Sequence, residues 1–99
     1  MTQVTLHQNG QTLFAMLSGE IDHHGAELLR EHIDMRVEQI CPKILVLDFS
    51  SVTFMDSSGV GLILGRHKIV HAHGGVVIVQ KAPNEVKRML AIAGIDSKD

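Results

Sequence analysis

Apolar residues along this chain fall into short continuous runs and into runs spaced at the helical period. Ile44-Leu45-Val46-Leu47 and Val76-Val77-Ile78-Val79 are continuous and aliphatic, which predicts strands covered on both faces. Val4-Thr5-Leu6-His7 and Thr12-Leu13-Phe14-Ala15-Met16-Leu17 flank Gln8-Asn9-Gly10-Gln11. Asn9 and Gly10 both tolerate positive φ, so these two runs predict a β-hairpin, closed by Ser18-Gly19-Glu20. Ala26, Leu29, Ile33, Val37 and Ile40 form one stripe at helical spacing and predict a helix from about His23 to Ile40. Glu27, Arg30, Glu31, Asp34 and Glu38 read as mostly its solvated side. Asp22 is suited to cap it, and Cys41-Pro42 ends it, because the residue before proline is disfavoured in the helical region.

A second helix is predicted from near Ser58 to about His73. Its apolar residues, Val60, Leu62, Ile63, Leu64, Ile69 and Val70, fall on several sides and make no single stripe. Gly61 and Gly65 are four apart and share a face. Glycine weakens a helix, so the pair predicts close packing of that face on the sheet. An apolar side left over is available as a partner surface beside Ser58. Gly74-Gly75 ends this helix. Pro83-Asn84-Glu85 opens a last one carrying Val86, Met89, Leu90 and Ala93, and Gly94 stops it. Asp96 to Asp99 reads as a polar tail that frays. The order β-β-α-β-α-β-α predicts one α/β domain over residues 1–99: a mixed sheet begun by the hairpin, with helices packed against it.

The candidate chemistry lies between the central strand and the second helix. Ser50-Ser51 interrupts the aliphatic run as short hydroxyl side chains do at turns, and Val52 and Phe54 then return apolar weight to the core. Asp56-Ser57-Ser58-Gly59 follows. Asp56, Ser57 and Ser58 are each eligible to cap the helix. A helix start presents unpaired N–H groups and a partial positive charge, so a hydroxyl there is exposed and a phosphate on it is well accommodated. Local chemistry alone favours caps over modification sites for both serines.

Bulk properties exclude several classes. Ninety-nine residues, 44% of them apolar, suit one domain with a modest core. No apolar run is long enough for a bilayer span. Met-Thr-Gln-Val-Thr lacks the basic and apolar regions of a signal peptide, so a cytoplasmic location is the expectation. Cys41 is the only cysteine, which rules out an internal disulfide and reads as a buried or idle thiol. A net charge of −2, no basic cluster and 3% aromatic residues argue against nucleic-acid binding.

Other constellations are weaker. His67 and His71 are one turn apart with His73 near, but zinc needs further ligands and no carboxylate or cysteine lies in register. The expectation is a partly exposed helix face and no metal. A serine hydrolase would place its nucleophile at Ser57 or Ser58. The motif is not Gly-x-Ser-x-Gly, however, and no histidine and acid stand in triad order. Gly59-x-Gly61 is too short for a phosphate-cradling nucleotide loop and has no lysine after it.

Phe54-Met55-Asp56-Ser57-Ser58-Gly59-Val60-Gly61-Leu62, preceded by Val46-Leu47-Asp48-Phe49-Ser50-Ser51-Val52, resembles the signature of STAS domains. The nearest likeness is to bacterial anti-sigma factor antagonists of the sporulation type. Gly19-Glu20-Ile21-Asp22-His23-His24 upstream and Leu64-Gly65-Arg66 downstream extend it, to about Gly94. Members of that family usually continue into a further strand and helix. The resemblance implies a non-enzymatic partner switch, and with no long apolar run and no nucleotide loop in the sequence neither a membrane partner nor a cofactor is expected. The unphosphorylated form would bind an anti-sigma factor that is itself a serine kinase, and so free a sigma factor. That kinase would phosphorylate Ser58, and a separate serine phosphatase would reset the switch. Asp56, Ser57, Gly59, Asp22 and Glu20 are the expected supporting residues, with Ser57 as cap and Gly59 leaving the kinase room to approach. Val60, Gly61, Leu64 and His67 are the expected partner contacts. A STAS module serving another signalling complex is the alternative within the same fold.

Overall fold

In the computed structural model, which describes residues 1–99, the aliphatic runs lie side by side within one five-stranded sheet. The strands are β1 (Gln3–Asn9), β2 (Thr12–Ile21), β3 (Ile44–Met55), β4 (Val76–Gln80) and β5 (Ser97–Lys98). The helices are α1 (His23–Ile40), α2 (Ser57–Ala72) and α3 (Asn84–Ile92). Spatial order follows chain order, β1-β2-β3-β4-β5. The β1–β2 hairpin is antiparallel and the other three pairings are parallel, so the sheet is mixed as expected. Leu13, Ala15 and Leu17 of β2, Leu45, Leu47 and Phe49 of β3, and Leu29, Ile33 and Val37 of α1 meet in one buried cluster.

α1 has the bounds its apolar stripe predicts. Asp22 Oδ1 accepts from the Gly25 N–H at 2.8 Å, and Cys41 stops the helix in the left-handed region at φ 48°. The Cys41 thiol is exposed, in place of the buried option allowed for it.

β3 is one strand of twelve residues, in contrast to the expected break at Ser50-Ser51. The polar groups that favour a turn are satisfied within the strand. Asp48, itself buried, accepts from the Ser50 N–H at 2.9 Å, the Ser50 hydroxyl at 2.6 Å and the Gln80 amide at 3.0 Å. Burial pushes the Asp48 carboxyl up, but those hydrogen bonds and the charge of Lys81 outweigh it and hold the carboxyl below its ordinary range. β2 likewise runs past Ser18 to Ile21. Gly19, at φ 86°, and two register shifts let it re-pair with the second half of β3.

The second shift lies between Gly19↔Val52 and Glu20↔Phe54 and skips Thr53. Val52 and Met55 consequently point inward, whereas Phe54 is 51% exposed instead of joining the core.

The C-terminal residues also depart from expectation. Ser97 and Lys98 pair with Val79 and Gln80, because the free edge of β4 offers unpaired backbone groups that a short strand satisfies.

Candidate functional site

The two helix starts that carry the motif residues stand next to each other. β2 and β3 are parallel neighbours, and each leads directly into a helix at its carboxyl end. Ile21 pairs with Met55, and the Asp56 N–H donates to Ile21 C=O at 3.3 Å. This is the edge at which open α/β sheets place ligands.

Asp56 is the cap of α2. Its backbone is extended, at φ −109° and ψ −167°, and Oδ1 accepts from the Ser58 N–H at 2.8 Å. Ser57 is therefore the first helical residue and exposed, which corrects its assignment as cap. The carboxylate one position earlier reaches the orphan N–H first. Ser58 is half-buried with only its backbone N–H engaged by a side chain. It lines a groove of about 430 Å3 between α1 and α2, together with His23, Ala26, Arg30, Gly61 and Gly65.

The glycines exchange the roles expected of them. Gly59 is buried, and a Cβ there would lie 2.3 Å from the Met55 side chain, so it is a packing position and offers no open approach to the backbone. At Gly61 and Gly65 a Cβ would meet nothing within 4 Å. The close packing expected at that pair is absent, because their face looks into the α1–α2 groove.

Of the remaining expected site residues, Asp22 caps α1 beside the motif. Glu20 is exposed and pairs with the N-terminal ammonium at 3.2 Å. The four expected partner contacts are divided between two faces of α2. Gly61 opens on the α1–α2 groove. Leu64, 51% exposed, and His67 border a second, more apolar groove formed with β4 and the Gly94–Lys98 segment. Val60 is half-buried against the core. His67 stacks on His71 with centroids 5.5 Å apart, and no three metal-ligating side chains converge anywhere in the chain.

Arg66 is a site residue that the sequence pattern left without a role. It is 4% exposed, and its Nε lies 2.7 Å from Asp34 Oδ1 on α1. Burial pushes the Asp34 carboxyl up, against the pull of the Arg66 charge, and pushes the Arg66 guanidinium down. The helical period placed Asp34 among solvated residues, and only the docking of α2 covers it. Phe54, expected in the core, is instead exposed just ahead of Asp56, because its orientation depends on a bulge formed with a distant strand.

Parallel strands run into two adjoining capped helix starts, with a serine at the mouth of the groove between them, and this defines an α/β module whose candidate site lies at the carboxyl ends of its parallel strands. Residues 3–99 match the model of the STAS domain, and the chain belongs to that family. It is 34% identical to an anti-sigma F factor antagonist of Paenibacillus polymyxa over 93 residues, covering 94% of this chain and 80% of that protein. It superposes on the anti-sigma factor antagonist SpoIIAA in its unphosphorylated form with a TM-score of 0.84 at 29% identity, covering 98% of this chain and 89% of that one. Against SpoIIAA of Bacillus in the phosphorylated form the TM-score is 0.77 at 28% identity, covering 98% and 92%. No helix is long and apolar enough to cross a membrane.

Proposed function

We propose that this chain is an anti-sigma factor antagonist, a non-enzymatic switch whose phosphoacceptor is Ser58. The observation that carries the reading is the division of labour at the start of α2. Asp56 takes the capping role, so the Ser58 hydroxyl is free of structural duty at a helix N-terminus. The likeness to SpoIIAA, solved in both unphosphorylated and phosphorylated forms, supports it.

In this reading the unphosphorylated chain binds an anti-sigma factor with serine kinase activity and displaces the sigma factor. The kinase transfers the γ-phosphoryl group of ATP to Ser58 Oγ, releasing ADP, and a serine phosphatase later hydrolyses the ester. The phosphate adds about −1.5 to −2 charges. The partial positive charge of the helix start accommodates it, so the fold persists and the effect stays local to the binding surface. Gly61 in the groove beside the serine, Leu64 and His67 on the other face of α2, and the half-buried Val60 supply the contact surface, with the exposed Phe54 as a further apolar contact. Incubation with the cognate kinase and ATP, followed by intact mass and binding measurements, tests this. One added phosphate with loss of kinase affinity is expected; tight binding that persists after phosphorylation contradicts it.

A further inference from the structure

Ser58 is half-buried and lines the α1–α2 groove, and the arrangement of that groove bears on what a phosphate there would meet. α1 and α2 each connect parallel neighbouring strands of one sheet, so they run in the same direction. The Asp34–Arg66 ion pair sets their relative height. Stepping back equally along both helices from that pair brings Ser58 level with Ala26, and both line the groove. Ala26 is small, and Gly61 and Gly65 leave the α2 wall bare, so the space beside the hydroxyl is open.

Arg30 lies one turn beyond Ala26 on α1, about 6 Å along the axis. Helical side chains lean toward their own N-terminus, which carries the Arg30 guanidinium back toward the level of Ser58. Three ion pairs occur in the chain, and Arg30 takes part in none of them. Arg66, the other guanidinium of the groove, is committed to Asp34. The remaining charged or titratable groups facing the position are His23 and Glu27 from α1 and the Asp56 carboxylate from the cap of α2. Arg30 is thus a cation in no ion pair that lines the same groove as the hydroxyl; its charge is felt by Asp34 and Arg66, and Glu27 and Asp56 make the site unfavourable for phosphate without it.

We infer that a phosphate on Ser58 folds back into the α1–α2 groove and is held there by Arg30. This rests on Ser58 being the phosphoacceptor. The planar, permanently charged guanidinium suits bidentate contact with two phosphate oxygens. The switch then has two parts: new negative charge at the start of α2, and loss of both the open groove and a free cation from the surface. Arg30 is a positioning residue for the modified state; in the unmodified one it makes no ion pair and only its longer-range charge acts on Asp34 and Arg66.

The test installs phosphoserine at position 58 by genetic encoding, so the result does not depend on any kinase; failure of the acceptor assignment is read separately, in the kinase assay. Phosphorus NMR then follows the second ionisation of the phosphate in the otherwise native chain, in Arg30→Gln and in Arg30→Lys. The native chain is expected to ionise at a pH lower by about half a unit or more than Arg30→Gln, roughly a threefold change in proton affinity, with Arg30→Lys between them. The thermal midpoint should fall in Arg30→Gln by more in the phosphorylated chain than in the unphosphorylated one. Indistinguishable titrations in all three chains would overturn the inference.

Discussion

Arg66 Nε stands 2.7 Å from Asp34 Oδ1, and this contact ties the helix carrying the serine to the helix that forms the opposite wall of its groove. Arg66 is almost fully covered, whereas Asp34 keeps a quarter of its surface. Removing one partner strands the other charge. Asp34→Ala should cost about 2–4 kcal/mol, somewhat less than a fully buried pair because Asp34 remains partly hydrated. Urea unfolding measures this, and a cost below about 1 kcal/mol would show that water satisfies Arg66.

Alanine substitution should separate the three glycines of α2. Gly59→Ala drives a methyl into Met55 and should cost about 1–3 kcal/mol. Gly61→Ala and Gly65→Ala meet open space and should stabilise by roughly 0.5–1 kcal/mol, because alanine is the better helix former. Thermal midpoints for the three variants test the contrast. Destabilisation at Gly65 would restore the packing role that spacing alone suggests.

At the start of α2, Asp56→Ala should cost about 0.5–2 kcal/mol through loss of the cap. Ser57→Ala should stay within about 0.5 kcal/mol, since its side chain holds no structural bond. Equal losses at both positions, measured by denaturant titration, would return the capping role to the serine.

Asp48 should make the domain acid-sensitive. Its folded carboxyl titrates below the unfolded value, because the Ser50 and Gln80 hydrogen bonds prefer the charged form. Stability from this source is fully present above the unfolded pKa, near 3.8, and is lost as pH falls through the folded value. Asp34 works in the opposite sense: its raised pKa means that it favours the fold below the unfolded value and loses that contribution as pH rises through the folded one. Asp48→Asn should therefore flatten the loss of stability below about pH 4. A pH series of unfolding midpoints that keeps its full acid slope in Asp48→Asn would remove Asp48 as the cause.

What could be read in advance followed the range of the interaction concerned. α1 was legible to the residue, since its stripe, Asp22 and Pro42 are all local signals. The hairpin and the mixed sheet were legible for the same reason. Phe54 was not, because a bulge opposite Gly19 and Glu20 turns it outward, and that depends on which strand lies alongside β3. Arg66 was not, because its partner sits on another helix. Gly61 and Gly65 carry the same sequence signal whether a glycine face meets a neighbour or an empty groove, and here it meets the groove. In the motif, three residues were eligible as caps and Ser57 was the one expected, but backbone geometry selects Asp56.

The central claim is that Ser58 accepts the phosphate and Ser57 does not. Site-resolved mass spectrometry after incubation with the kinase and ATP tests it most directly, on the native chain and on Ser58→Ala and Ser57→Ala. Phosphate is expected on Ser58 alone, absent from a folded Ser58→Ala that still binds the kinase, and retained in Ser57→Ala. Phosphate on Ser57, or undiminished phosphorylation of Ser58→Ala, would contradict the account.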